Sequence, residues 1–460
     1  MTVKSLRTAI FLCLLAAAVG TSAAQSAAPD ARIQRAVAAV DATRLQSTDL
    51  ALVNFGTRHT SGTTLPAEKH AGVIQARQWI EAELGRISQH CQDCLELKQY
   101  RSVEGPAPRL PQPAELVTIY AIQRGNDPEA AKRVILLSAH YDTIAMARMN
   151  DAEAPAPGAN DDGSGTSLVL EAARVLSHER FPATIIYALF PGEEQGLFGS
   201  KAFAKLAKSE GWQLEAVLSN DIVGGDNTRD QHNLARVFSE GIPATLTADD
   251  ADRTTLRRLR LLGAELDSPS RQLARFIATE ATAYLPASSV QPKMVFRQDR
   301  FLRGGDHTSF NELGFAAVRI TEYAENYDHQ HQLPRLENGV EYGDLPKFID
   351  FSYLAGVTRL NVAAAGLLAS APAPPAEVKL VTRDLVNSST LHWKPSPDGR
   401  AAGYELLLRE TTAPGWEKIV PAGAQLQLTV PDSKDNVIFG VRAYDQDGHR
   451  SLVVMPAPER

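Results

Sequence analysis

Four short segments carry residues suited to metal-assisted hydrolysis. They are His140-Tyr141-Asp142, Asn160-Asp161-Asp162-Gly163-Ser164-Gly165, Pro191-Gly192-Glu193-Glu194 and Asn220-Asp221. Imidazole and carboxylate ligands suit Zn2+. Carboxylates gathered at one place repel one another unless a positive charge sits between them, and a pair of divalent ions would supply it. Taken singly, each segment has a plainer reading. His-x-Asp is commonly a hydrogen-bonded pair, and Asn-Asp-Asp-Gly is a turn sequence. Glu193 and Glu194 suit a helix start, where the dipole favours acids. Asp221 could cap a strand end. The order of the four segments, each at an element boundary, is what separates them from four coincidences.

The elements that must position them are legible from hydrophobic pattern. Apolar runs at 134–137, 183–190, 216–219 and 315–321 predict buried strands. Helical spacing predicts helices over 66–85, 164–179, 200–208 and 351–369. Strands that are apolar throughout and alternate with helices imply an α/β fold, with a central, mostly parallel mixed sheet flanked by helices. Three of the four segments then follow a predicted strand and the other opens a predicted helix. In such sheets the carboxyl ends of the strands form the ligand crevice.

The chain has 460 residues, enough for one large and one small domain. Lys plus Arg number 47 against 54 Asp plus Glu, a net charge of −7 that leaves no basic surplus for nucleic acid. Residues 1–24 read as a signal peptide: Lys4 and Arg7, an apolar run, then small residues to cut after. The run falls short of a membrane span, and no later segment is expected to cross a bilayer. The mature protein is therefore expected to be exported, to the periplasm or outside the cell. Cys91 and Cys94 lack the further ligands of a zinc knuckle, and in an exported chain they read as a short local disulfide. Residues 25–369 would form the main domain. Pro and Ala at 370–376 read as a stiff linker. Short alternating strands over 377–460 predict a small all-β sandwich. Its Trp393 and Val441-Arg442-Ala443-Tyr444 resemble a fibronectin type III domain. The sandwich is expected to contact a protein or cell surface, and its removal to leave the main site working.

The four segments in order, with Asn54-Phe55-Gly56-Thr57-Arg58-His59-Thr60-Ser61-Gly62 upstream, resemble the exported di-zinc aminopeptidase family. That family is related to glutamate carboxypeptidase-like and transferrin-receptor-like proteins. The likeness spans roughly residues 50–368. It implies two Zn2+ and peptide substrates. His140 and Asp221 would bind one ion, Glu194 the other, and Asp161 both. Asp142 would orient His140. Glu193 would be the general base, drawing a proton from a hydroxide-forming water between the ions. The last ligand departs from the family's pattern: Asn326-Tyr327-Asp328-His329-Gln330-His331 offers two imidazoles, of which His331 is preferred over His329. His307 would be a pocket residue rather than a ligand.

Release of amino-terminal residues is the first reading. A glutamate-releasing carboxypeptidase is the alternative, because Arg297, Arg300 and Arg303 could hold a free carboxylate. A glutaminyl cyclase shares the fold, but the intact Asn160–Gly165 run favours two metals. A non-catalytic receptor-like binder would have lost ligands that this chain retains.

Overall fold

A computed structural model describes residues 29–65, 72–230, 233–246 and 250–460. The expected signal peptide and the start of the 66–85 helix lie outside them. The main domain begins with helices α1 (Ala31–Ala38), α2 (Ala42–Val53) and α3 (Val73–His90). A hairpin of β1 (Leu95–Glu104) and β2 (Ala114–Gln123) follows. Next come β3 (Arg133–His140), α4 (Gly165–Leu176), β4 (Thr184–Phe190), the single turn α5 (Glu193–Gly196), α6 (Phe198–Ser209) and β5 (Gln213–Asn220). The second half holds β6 (Leu234–Ser239), α7 (Asp250–Leu262), α8 (Pro269–Thr279), β7 (Gln291–Val295), α9 (Asp306–Asn311), β8 (Ala317–Glu322), a small β9–β10 hairpin (Arg335–Glu337, Val340–Tyr342) and α10 (Phe351–Ser370).

Eight strands form one sheet in the order β1-β2-β4-β3-β5-β8-β6-β7. The central four, β4-β3-β5-β8, are mutually parallel. The β1–β2 hairpin joins antiparallel on one side, and β6 joins β8 antiparallel on the other. The sheet is thus mixed with a parallel centre. Every residue of β3, β4 and β8 is buried, as a strand covered on both faces requires. Alternation along β3 divides it between two cores. Ile135 and Leu137 pack with α4 and α10, while Val134 and Leu136 pack towards α6 and Phe310 of α9.

Strand β1 and the β6–β7 pair carry no strong sequence signal, whereas β2 carries one over Leu116–Ile122 that the sequence reading passed over. β1 reads Leu-Glu-Leu-Lys-Gln-Tyr-Arg-Ser-Val-Glu and is largely exposed, so it holds its place by pairing with β2 over its full length. Helix α10 is long and apolar enough to cross a membrane by length and composition, contrary to expectation. It is instead the central core helix, buried over most of its length against α1, α2, α4 and β3. Cys91 and Cys94 are disulfide-bonded at the end of α3.

After α10, strands β11 (Ala376–Val381), β12 (Ser389–Lys394), β13 (Gly403–Glu410), β14 (Lys418–Gly423), β15 (Gln427–Val430), β16 (Val437–Tyr444) and β17 (Ala457–Glu459) form two sheets. Their orders are β15-β12-β11-β17 and β14-β13-β16, around a core that includes Trp393, Tyr404 and Leu406. This unit is docked rather than tethered. The 370–376 run is mostly buried, and its Ala371 carbonyl accepts from Arg133 of the large sheet and from Arg400 of the small domain, at 2.8 and 2.9 Å. Nη2 of Arg409 on β13 donates to both oxygens of the buried Asp267, at 2.8 Å each. Arg442 reaches Glu280 at 2.7 Å, and His449 reaches Asp30 at 2.9 Å.

Candidate active site

The parallel centre of the sheet delivers the functional segments to one edge. His140 is the last residue of β3 and Asn220 the last of β5, with Asp221 just beyond. Glu193 and Glu194 open α5, directly after β4. Asp161 lies in the irregular turn at 159–164 before α4, where the Asp161–Asp162 peptide is cis. The glycines of this turn answer to space. Gly158 has φ +55°, and a Cβ there would sit 2.6 Å from the Asp161 carbonyl oxygen. At Gly165 a Cβ would sit 2.6 Å from the Asn220 carbonyl oxygen.

Two ligand sets meet at Asp161. Nε2 of His140 is 3.3 Å from Oδ1 of Asp161 and 3.7 Å from Oδ1 of Asp221. Nε2 of His331 is 2.8 Å from Oδ2 of Asp161 and 3.0 Å from Oε1 of Glu194. One carboxylate therefore turns one oxygen to each set. Nε2 of His140, Oε1 of Glu194 and Oδ1 of Asp221 are buried and have no hydrogen-bond partner. Buried polar atoms are rarely left so. These three belong to the two sets and face inward, which is the donor pattern a cation would satisfy.

The electrostatics agree. Burial alone would suppress charge on His140, but Asp142, Asp161 and Asp221 outweigh it and hold its pKa well above the usual imidazole range. Burial opposes charge on His331 too, and Glu194 and Asp161 again prevail. Burial pushes the Glu193 carboxyl well up, against the pull of His140 and with help from Glu194 and Asp221. Carboxylates outnumber cations at the site, so bound metal fits both charge and donor type.

Asp142 is fully buried and links the segments. Its carboxylate accepts the backbone N–H groups of Glu193 and Glu194 at 3.1 and 3.2 Å. One of its oxygens lies 3.5 Å from Nδ1 of His140. His329 is not brought to the ligand sets. Its Nδ1 sits 2.5 Å from Asp226 and its ring stacks on Phe348 at 3.7 Å. Of the two downstream imidazoles, only His331 reaches them. His307 is fully buried with Nε2 2.8 Å from the Gln298 carbonyl oxygen, so it braces the wall of the cleft and does not line it, contrary to expectation.

Three positioning groups escaped the sequence reading. Asp344 accepts the N–H groups of Asn160 and Asp161 at 2.8 and 2.7 Å. Gln330 donates to Oδ2 of Asp161 at 2.9 Å. The buried Arg58 donates to the carbonyls of Tyr141, Pro157 and Gly158, tying the β3 end to the Asp161 turn. Arg58 stands in the upstream segment that carried the resemblance, so a signal for it was present. Asp344 had none, because its partners are far away in sequence.

The ligand sets open into a cleft of about 700 Å³ whose wall includes Met146, Leu197, Arg300, Leu302, Arg303 and Tyr327. Arg300 is committed to Asp299 and Glu325 at 3.0 and 3.1 Å, and Arg303 shares Glu325 at 3.3 Å. Arg297 lies over the ring of Phe301.

A mixed α/β sheet with clustered imidazole and carboxylate ligands at its carboxyl edge has the arrangement of a metal-dependent enzyme. The sequence profile of Peptidase family M28 matches residues 118–333. A probable zinc metalloprotease of Leptosphaeria maculans is 40% identical over 434 residues, 94% of this chain and 98% of that protein. One of Pyricularia oryzae is 39% identical over 441 residues, 94% and 85% of the two. The solved LapA aminopeptidase of Legionella pneumophila shares the fold, with a TM-score of 0.50 at 20% identity over 74% of each chain. The chain belongs to peptidase family M28.

Proposed function

We propose that this protein is an exported aminopeptidase that holds two zinc ions and removes amino-terminal residues from peptides. The observation that carries the two-ion reading is the split of Asp161, one oxygen towards His140 and the other towards His331. His140, Asp161 and Asp221 would hold one ion, and Asp161, Glu194 and His331 the other. Zinc at such a site polarises a carbonyl and acidifies water.

The chain's own residues do the rest. Asp142 fixes the start of α5, so Glu193 and Glu194 leave it in different directions, one to the ligand set and one to the cleft. Glu193 takes the proton of the attacking water on its carboxylate and returns it to the departing amine nitrogen. Arg300 and Arg303 are drawn towards Asp299 and Glu325, and Arg109 towards the Glu194 carbonyl oxygen, so none of the three is wholly free to hold a substrate carboxylate, which supports the amino-terminal reading. The disulfide accords with an exported protein. The small β domain, which we assign as fibronectin type III-like, would serve contact with a protein or cell surface, a role resting on fold analogy.

Peptide panels blocked at either end, with and without chelator, test the reading. Cleavage of free-amino-terminus substrates that chelator abolishes is expected. Cleavage restricted to free carboxyl termini would transfer the protein to the carboxypeptidase class. Glu193→Gln should retain zinc and lose about 10²–10⁴ in turnover.

A further inference from the structure

Arg319 is a cation in the middle of a fully buried strand. β8 reads Ala-Val-Arg-Ile-Thr-Glu with every residue buried, and Arg319 is 0% exposed. A charge so placed persists only if it is paired. Nη2 of Arg319 lies 3.0 Å from Oδ2 of Asp221. That is an ion pair not aligned as a hydrogen bond, since the same nitrogen has no hydrogen-bond partner. Nη1 is 3.4 Å from Oδ2 of Asp299 and 3.4 Å from the Gly304 carbonyl oxygen. Oδ1 of Asp299 meets Nε of Arg300 at 3.0 Å. Charges therefore alternate from Asp221 through Arg319 and Asp299 to Arg300 on the cleft wall. Gly305 leaves the room, because a Cβ there would stand 3.1 Å from Nη1 of Arg319.

This chain touches only one of the two ligand sets. Asp221 turns Oδ1 towards His140 and keeps Oδ2 against the guanidinium. Among the described residues, Asp161 and Glu194 form ion pairs with His140 and His331 and with no Arg or Lys. A carboxylate that shares its charge with a guanidinium has less to give a metal.

We propose that Arg319 is a positioning residue that withholds Oδ2 of Asp221 and makes the His140–Asp161–Asp221 position the weaker of the two for zinc. The inference rests on the two-ion reading above. Asp299 tempers the effect by taking up part of the charge of Arg319. The two side chains therefore pull the affinity of this position in opposite directions.

The experiment is a zinc titration of the metal-stripped full-length protein against a chromogenic chelator, which reads stoichiometry and dissociation constants without turnover. The wild type should fill in two unequal steps. Arg319→Met should tighten the weaker step about tenfold, and Asp299→Asn should weaken the same step about tenfold, with the stronger step unmoved. Shifts of the same sign in both variants, or no shift, would mark a merely structural role and overturn the proposal. Should Arg319→Met fail to fold, Asp299→Asn decides: weakening of the weaker step alone supports the proposal, and any other result overturns it. Two equal steps in the wild type would refute this inference alone. A single zinc per chain would refute the two-ion reading and this inference with it.

Discussion

Asp344 accepts the backbone N–H of Asp161 at 2.7 Å, so the residue shared by both ligand sets is aimed by a carboxylate 183 positions further along the chain. Burial pushes the Asp344 carboxyl up to about 7, yet the N–H groups of Asn160 and Asp161 favour its ionised form. Loss of such an outer partner commonly costs 10–100-fold in metal affinity. Asp344→Ala is expected to lower zinc affinity by about that factor while the protein stays folded. Metal analysis after dialysis, beside circular dichroism, checks it. Full occupancy in the variant would remove Asp344 from this role.

The two downstream imidazoles should separate cleanly. His331→Ala is expected to lose one of the bound zinc ions, because its Nε2 lies against both Asp161 and Glu194. His329→Ala should keep the metal and lower the melting temperature, since it removes the contact with Asp226 and the stack on Phe348. Zinc counts per chain for the two variants decide the assignment, and a reversed result would give the ligand role to His329.

The small domain is bound to the large one by buried charge. Asp267 holds Arg275 at 3.0 Å and Arg409 at 2.8 Å, with all three side chains no more than 2% exposed. Removing one member of such a group typically costs about 3–5 kcal/mol, because the remainder is left unpaired. Asp267→Asn strands two cations and should reach that range, whereas Arg409→Met leaves Arg275 on Asp267 and should cost less. Chemical denaturation orders the two. Deletion of 376–460 would strip Asp267 and Glu280 of Arg409 and Arg442 and uncover the Ala371 region, so soluble, fully active truncated protein is not expected.

The contact of His449 with Asp30 and Asp445 should make domain attachment depend on pH. Burial opposes charge on His449, but the two carboxylates at 2.9 Å raise its pKa above the ordinary 6.5. Burial likewise opposes charge on Asp30 and Asp445, while Arg32 and His449 respectively bring them below 3.8. A raised imidazole contributes stability that is complete below 6.5 and is lost as pH climbs through its folded value. Lowered carboxylates contribute above 3.8 and lose their share as pH falls through their folded values. Attachment should therefore be firmest between those limits. His449→Gln should lower the melting temperature at pH about 5.5 and change it little at pH about 9. An equal drop at both pH values would show that the effect is packing rather than charge.

The local chemistry of the chain sufficed to place the four functional segments and the strands that carry them. β3, β4 and β8 are buried throughout because both faces are covered, and the apolar runs within them are visible without coordinates. His140, Asp161, Glu194 and Asp221 could be singled out because each sits at a boundary of one of those elements. The polar β1 strand carried no such mark, since its place depends on the hydrogen bonds of β2. Sequence preferred His331 over His329 only by its resemblance, and it is the tertiary structure that brings His331 to Asp161 and His329 to Asp226, because the two are separated by one residue and differ in the neighbours that the fold brings to them. It also decided the roles of Asp344 and Arg319 and turned a Pro/Ala spacer into a buried joint. Each of these depends on groups distant in sequence meeting where water is excluded, and only there does a single charge contact weigh enough to matter.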